Sequence, residues 1–443
     1  MTLSSTVRRT FSAMAVPNYR RFITGQAISL IGTWMQSIAI SWLVLSLTHS
    51  ATDVGLNVAV QTLPVLVLGP YGGVVADRID KRRLMVVLQS MMGLQALALG
   101  VLALTHTIDF ALIAALSLVL GLNNCFENPA RQSFVLEMVG RGEVRNAVSL
   151  NSTLVNAARA VGPAIGGILI AEVGVGWCFI CNAVSFVAVV YSLMTLDRSR
   201  LQPSPPAERA RGQFREGLAY VRRTPDLVVP LVMMALVGTF AFEFQVSLPV
   251  VATRTFHGGA EVYGFMTAAF GIGAVAGGLL VAGFGRTGRR ALTVASAAMG
   301  ATMLLAAFAP GLPLEFVALL LVGFTGVGFL SMGNSTLQLA AAPEMRGRVM
   351  ALWAVAFLGS TPIGGPAIGW IASQLGGRAG LATGAIACLA AAGAALAIAK
   401  RLRARSPEGV LEPGAAAAER AVSGEIAVGA SGAEHALGEM PAS

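Results

Sequence analysis

The chain has 443 residues, 55% of them hydrophobic and only 12% charged, with a net charge of +9 and a mean hydropathy of +0.71. Soluble domains carry about 25% charged residues, so composition excludes a water-soluble globular protein and puts the chain in a bilayer. The excess of basic residues is then read as membrane topology beside anionic lipid, not as a nucleic-acid footprint.

In hydrocarbon every backbone N–H and C=O must be bonded within the segment, so the unit to search for is an apolar helix of about 20 residues. Twelve such windows are predicted, at 22–47, 54–76, 84–104, 110–128, 147–171, 175–196, 227–252, 263–283, 291–309, 314–335, 349–375 and 381–399. The first follows Arg8, Arg9, Arg20 and Arg21 as a secretion signal would. Its apolar run is too long for the core of such a signal and no small-x-small cleavage site ends it, so a retained helix is expected.

The windows fall into two sets of six, residues 1–196 and 227–399, with a polar cytoplasmic linker at 197–226 between them. The linker holds Pro203, Pro205 and Pro206, seven Arg, and one amphipathic stretch, FREGLAYVRR. The last segment, 400–443, is rich in Ala, Gly and Glu without an apolar period and is expected to be a disordered cytoplasmic tail. About 28 of the 31 Lys and Arg fall on the side shared by both termini, Arg159 lies inside a window, and Arg254 and Arg378 lie on the other side. That asymmetry predicts cytoplasmic termini.

Polar residues inside the windows are the candidate site. In the first, Gln26 and Trp34 share a face within about 80°, whereas Gln36 lies farther round on the other side of Gln26. After the second comes GGVVADRIDKRR, with six charges in the seven positions from Asp77 to Arg83. The fourth ends among Asn123, Asn124, Glu127 and Asn128, where Glu127 is a candidate second titrating group. Arg159 in the fifth is charged at any accessible pH, so it must pair or face water. Glu243 in the seventh, within FAFEFQVSLP, would cost about 2.5–3.5 kcal/mol if ionised in lipid, so it is expected to face the bundle interior and exchange protons. Backbone groups or Gln245 are its alternative partners. Prolines at 64, 70, 163 and 366 each remove an intrahelical bond and permit bending.

The two sets of windows echo each other. GPAIGG, from Gly162 through Pro163 to Gly166 and Gly167, recurs as GPAIGW from Gly365 and Pro366, and Arg145 is matched by Arg348. Both pairs are 203 positions apart (365 less 162, and 348 less 145). A six-helix unit duplicated in the same orientation is a parallel repeat, the arrangement of major facilitator halves.

The sequence itself resembles that superfamily. Its signature between helices two and three, a glycine followed by an Asp-Arg pair and a basic cluster, is matched at Gly73, Asp77, Arg78, Arg82 and Arg83, with Asp80 where a glycine is usual. GPAIGG resembles the core of the signature associated with proton-coupled exporters. GQAISLIGTWMQSIAISWLVLSLT, NPARQSFVLEMV and NAARAVGPAIGG resemble the enterobactin exporter and macrolide efflux branch, the transmembrane secretion effectors, and the likeness runs nearly to Lys400.

The resemblance implies an all-α membrane protein of twelve transmembrane helices in two six-helix halves. It also implies a proton-coupled exporter of amphipathic molecules such as siderophores or drugs in the bacterial inner membrane, working by alternating access. An uncoupled facilitator, or an importer of a small metabolite, is the alternative.

In that frame Gly73 lets a neighbouring helix approach. Asp77 can then face a helix N-terminus near Arg348, with Arg131 as a second partner, latching the inner gate with about 1–3 kcal/mol. Arg78 and Arg145 flank this gate. Lys81, Arg82 and Arg83 are read as headgroup anchors. Glu243 is the expected proton carrier, and Gln26, Trp34, Gln36, Arg159 and Gln245 the expected cavity lining. Gly162, Pro163, Gly166, Gly167, Gly365 and Pro366 are the flexing points.

Other motifs carry less. GIGAVAGG at Gly271 lacks dinucleotide-loop spacing, there is no P-loop signature, and the C-x-x-C of Cys178 and Cys181 sits inside an apolar helix. No cofactor is expected. The expected partners are the small-molecule substrate, protons and lipid, and the expected state is a monomer.

Overall fold

The computed structural model describes residues 11–202, 213–284 and 287–405. Among these the protein is all helix. The first six spans are α1 (Pro17–Thr48), α2 (Ala51–Arg78), α3 (Lys81–Leu104), α4 (Phe110–Gly140), α5 (Gly142–Val173) and α6 (Val175–Met194). A short helix, α7 (Gln213–Arg223), follows. The remaining elements are α8 (Pro225–Ala241), α9 (Phe244–Val250), α10 (Ala260–Phe284), α11 (Arg289–Ala307), α12 (Leu312–Ala340), α13 (Arg346–Leu358), α14 (Thr361–Leu375) and α15 (Gly377–Arg405). Twelve stretches are long and apolar enough to cross a membrane, and two of them, Asp226–Thr255 and Arg346–Leu375, are built from more than one helix.

Local chemistry sets the ends. Pro17 opens α1, where a missing N–H costs nothing. The side chains of Ser50 and Asp109 cap α2 and α4 through the N–H groups of Asp53 and Leu112. Asp80 does the same for α3, accepting from the Arg83 N–H at 2.9 Å. This explains the departure at the family's usual glycine, since the position here starts a helix. Gly140, at φ 68°, separates α4 from α5.

The burial pattern is that of a protein dissolved in lipid. On α6, Asn182, Ser185 and Ser192 are buried, whereas Val184, Val187 and Tyr191 are 64%, 65% and 69% exposed. Polar side chains turn inward because only protein can hydrogen-bond them there, and apolar ones lose nothing by facing outward.

Two crossings join the first six spans to the last six. α5 crosses α10 where Gly167 meets Gly264, and a Cβ on Gly264 would lie 2.8 Å from the Gly167 Cα. α2 crosses α14 where Gly55 meets Gly365, with the Gly55 carbonyl 2.9 Å from the place of a Gly365 Cβ. The two copies of the repeated glycine motif thus serve equivalent inter-set crossings, and small residues let the backbones touch.

Three expectations are corrected. The fourth window does not end at 128, because NPARQSFVLEMV stays helical to Gly140. Its polar groups are met within the bundle, for example by Asn123 Nδ2 donating to the Leu88 carbonyl at 2.8 Å. Lys81 is not a headgroup anchor, for it is buried and its Nζ lies 2.7 Å from Glu137 Oε1. Arg82 is turned to the end of α6, donating to the Leu193 and Met194 carbonyls at 2.7 Å each.

In the linker, the amphipathic piece forms α7, which packs on α13; its Val221 is buried, and its Tyr220 hydroxyl accepts the N–H of Ala342, in the turn before α13, at 3.1 Å. The linker prolines and the tail beyond Arg405 lie outside the described residues. The chain divides into compact units 1–395 and 396–443, the second helical as far as Arg405.

Candidate functional site

The seventh span is interrupted at mid-depth. α8 stops at Ala241, Phe242 and Glu243 leave helical geometry, and α9 restarts at Phe244. The Glu243 carbonyl accepts the N–H groups of Val246 and Ser247 at 3.1 Å each, so the residue caps α9 with its backbone and frees its side chain. That side chain is 4% exposed and lies over the glycine face of α14, with Oε1 3.0 Å from where a Gly364 Cβ would be. Thr361, on the same turn of α14, lies beside it, and Oε1 has no hydrogen-bond partner among the described residues. Gln245 turns elsewhere, donating to Ser37 Oγ at 2.8 Å across to α1. Gln245 is therefore engaged away from Glu243, whose neighbour is Thr361.

Arg159 lies about 25 Å along α5 from Gly142, near its midpoint. Its guanidinium is 4.8 Å from the ring centroid of Trp34, itself mid-way along α1, and its Nε is buried without a hydrogen-bond partner. Pro163 has no N–H to offer the Arg159 carbonyl four residues before it, and that oxygen approaches Gly271 of α10. A cation over a ring contributes about 0.5–2 kcal/mol, against about 2.5–3.5 kcal/mol for a charge at the centre of a span. Stacking alone does not offset the charge, so this cation has capacity left for another partner. Trp34 and Ser37 are one turn apart on α1, which puts Arg159, Trp34, Ser37 and Gln245 at one level of the bundle.

Gln36 does not belong to this group. Its carbonyl accepts from Asn182 at 2.8 Å, its amide donates to Gln95 at 2.9 Å, and Gln95 continues to the Leu116 carbonyl. The relay is closed within the first six spans, which corrects the cavity assignment: on the far side of α1 from Trp34, Gln36 is consumed in packing. Gln26 is 4% exposed, with its carbonyl oxygen unpartnered.

At the end where α1 begins, the surroundings of Gly73 and the side chain of Asp77 lie outside what is described. Arg78 and Arg145 are exposed. Arg131 is occupied within its own set of spans, with Nε 2.9 Å from Glu127 Oε1 and further bonds to Asn128 and Asn151. Glu127, buried and also bonded by Gln89 at 3.2 Å, is half of an ion pair and not a solvated boundary acid. Arg348 reaches Glu216 of α7 at 2.9 Å, tying the linker helix to α13.

The glycines expected to flex are contact points: Gly162 and Gly166 lie on Trp34 and Ile38 of α1, Gly167 on α10 and Gly365 on α2. Helix continues through Pro163 and Pro366, and the unwound points are instead 242–243 and 359–360.

The sequence profile of the transmembrane secretion effector family matches residues 8–426. The chain belongs to that family. Among its relatives, the MFS-type transporter YfiS of Bacillus subtilis is 31% identical over 61% of this chain. That match takes in 64% of the YfiS length. The multidrug efflux pump Tap of Mycolicibacterium fortuitum is 29% identical over 75% of this chain and 84% of its own. The enterobactin exporter EntS of Escherichia coli O1:K1 is 26% identical over 81% of this chain and 86% of its own. Among solved structures, the nucleoside transporter NupG superposes with a TM-score of 0.70 at 12% identity, covering 86% of this chain and 98% of that one. The family and the major facilitator fold are those of membrane transporters, not of enzymes.

Three features escape a reading of the sequence. One is Thr361, which carries no signal until α14 is set beside Glu243. Another is Glu315 in α12, fully buried with neither carboxyl oxygen hydrogen-bonded, close to the Arg378 cation. It is the second residue of its window, 314–335, where an acid carries no signal of burial.

The third is a clasp at the end opposite the start of α1. Arg254 donates to the His49 carbonyl at 2.8 Å and to the Ser373 carbonyl at 3.3 Å. Thr52 donates to Ser373 Oγ through its N–H at 3.0 Å and meets it again through its hydroxyl at 3.1 Å. The described hydrogen bonds that join the first six spans to the last six are the Arg254–His49, Thr52–Ser373 and Gln245–Ser37 contacts. Just inside the clasp is a cavity of about 320 Å³ lined by Trp42, Leu45, Ser46, His49, Thr253 and Arg254.

Proposed function

We propose that the protein is a secondary active exporter of amphipathic small molecules, driven by proton antiport and working by rocking residues 1–196 against 227–399. The observation that carries this reading is the Glu243 carboxyl, buried at the break in the seventh span beside Thr361 with one oxygen unpartnered. A carboxyl at mid-depth with no salt-bridge cation among the described residues is suited to taking up and releasing a proton, and its neighbour α14 belongs to the opposing glycine crossing. Proton movement at Glu243 can thereby bias the α2–α14 contact. Glu127, already tied to Arg131, is assigned a structural part.

The basic end is taken as cytoplasmic, with Asp77 as a latch there. The clasped end is then the external face, and the conformation is closed to the outside. Names among the relatives, a drug efflux pump and an enterobactin exporter, support export and leave siderophores and drugs as the two substrate groups. One proton moving down 100 mV supplies about 2.3 kcal/mol, enough for a gradient of about fortyfold.

The test uses purified protein in vesicles with an imposed proton gradient. Uphill efflux of a candidate compound is expected from the wild type, and E243Q is expected to abolish substrate-driven proton movement while substrate still binds. Undiminished coupling in E243Q removes Glu243 from the mechanism. Downhill movement alone in the wild type favours the uncoupled facilitator.

A further inference from the structure

We propose that Arg159 stacked on Trp34 is an anion-recognition point at the centre of the bundle, and that the substrates are amphipathic carboxylates: an anionic head beside an apolar or aromatic body. The assignment takes from the transport reading only the statement that a substrate occupies the space between the two sets of spans. The rest follows from geometry.

Arg159 is not placed to serve lipid. At about 100° per residue, Val161, Ala164, Ile165 and Ile168 share one face of α5, and with Phe265 of α10 they line an apolar groove of about 540 Å³. Arg159, with Gly162 and Gly166, lies on the opposite face, toward α1. Its depth near the midpoint of α5 is too great for a headgroup contact. A purely structural cation would be expected to show an acid or carbonyl acceptor, as Lys81, Arg82, Arg131 and Arg254 all do. Arg159 has no salt-bridge partner among the described residues, and its buried Nε has no acceptor.

What such a group recognises follows from its shape. Trp34 carries no acceptor for the guanidinium 4.8 Å from its ring, so the N–H fork, which a carboxylate accepts in two parallel bonds, is not used by the indole. The indole beside it supplies a flat apolar surface for the body of the ligand, adjoining the level of Ser37 and Gln245. A cationic amphiphile would meet an uncompensated like charge at this level, so the site selects against cations.

The test is equilibrium binding to the full chain in nanodiscs of phosphatidylcholine, with empty nanodiscs as background. The probes are 11-(dansylamino)undecanoic acid and its methyl ester, which differ only in the anion. The wild type is expected to bind the acid at least tenfold more tightly than the ester. R159Q is expected to bring the two within twofold by weakening binding of the acid, and R159K to retain an intermediate preference.

Equal binding of acid and ester by the wild type, no binding of either, or a preference that survives in R159Q overturns the proposal. Each variant is checked by thermal unfolding. Should R159Q not fold, W34A takes its place, with at least a threefold loss of preference expected and an unchanged preference counting against the site. Binding needs no gradient, so the two readings separate. A chain that prefers the acid yet moves no protons keeps the anion site and loses antiport, whereas one with Glu243-dependent coupling and no preference keeps antiport and loses the site.

Discussion

Removing the Arg254 guanidinium should open the clasped end of the protein. Arg254 makes two charged hydrogen bonds, to the carbonyls of His49 in the first set of spans and Ser373 in the second, at 2.8 and 3.3 Å. The side chain is exposed, so each bond is taken at about 0.5–1 kcal/mol; only the His49 bond joins the two sets of spans, because Arg254 and Ser373 both lie in the second. If the His49 bond exists only while this end is closed, its loss moves the equilibrium toward the open form by about 2–5-fold.

The assay is the rate at which a membrane-impermeant maleimide labels a cysteine at Ser41, 3% exposed and about two turns inside His49, in a chain with its four native cysteines replaced. R254A should label about 2–5 times faster than the parent, and R254K, which keeps the charge without the fork, should fall between them. Unchanged or slower labelling of R254A would refute the assignment of the clasp as a gate.

Two further pairs of substitutions probe the packing and capping arguments. G264V puts carbon where Gly167 Cα lies 2.8 Å from the ideal Cβ, so it should lower the unfolding temperature by the equivalent of about 1–3 kcal/mol, whereas G393A, at a helical glycine with open space around it, should gain about 0.4–1 kcal/mol. Comparable unfolding temperatures for the two would show that the α5–α10 crossing is not close-packed. At the head of α3, D80A should cost about 1 kcal/mol and D80G, the residue usual in the family, only a few tenths; equal losses would mean the Asp80 side chain is not acting as a cap.

The sequence alone determined the membrane class and the number of spans, and it displays a repeated glycine motif. These are sums or periods over neighbouring residues: about twenty apolar side chains make a span wherever its partners stand, and GPAIGG and GPAIGW are visible as strings. It also singled out Glu243 and Arg159, because a charge within an apolar window is conspicuous without any fold.

What it could not supply was the identity of whatever stands opposite. Gln36 and Trp34 are two residues apart on α1, yet one closes an amide relay with Asn182 and Gln95 and the other carries Arg159. Lys81 reads as a surface cation until Glu137 is folded against it. Thr361 lies 118 positions beyond Glu243, and Ser373 lies 321 positions beyond Thr52. Only the tertiary structure decides such pairings, since a helix face acquires its chemistry from whichever distant helix packs on it, and no local period records that choice.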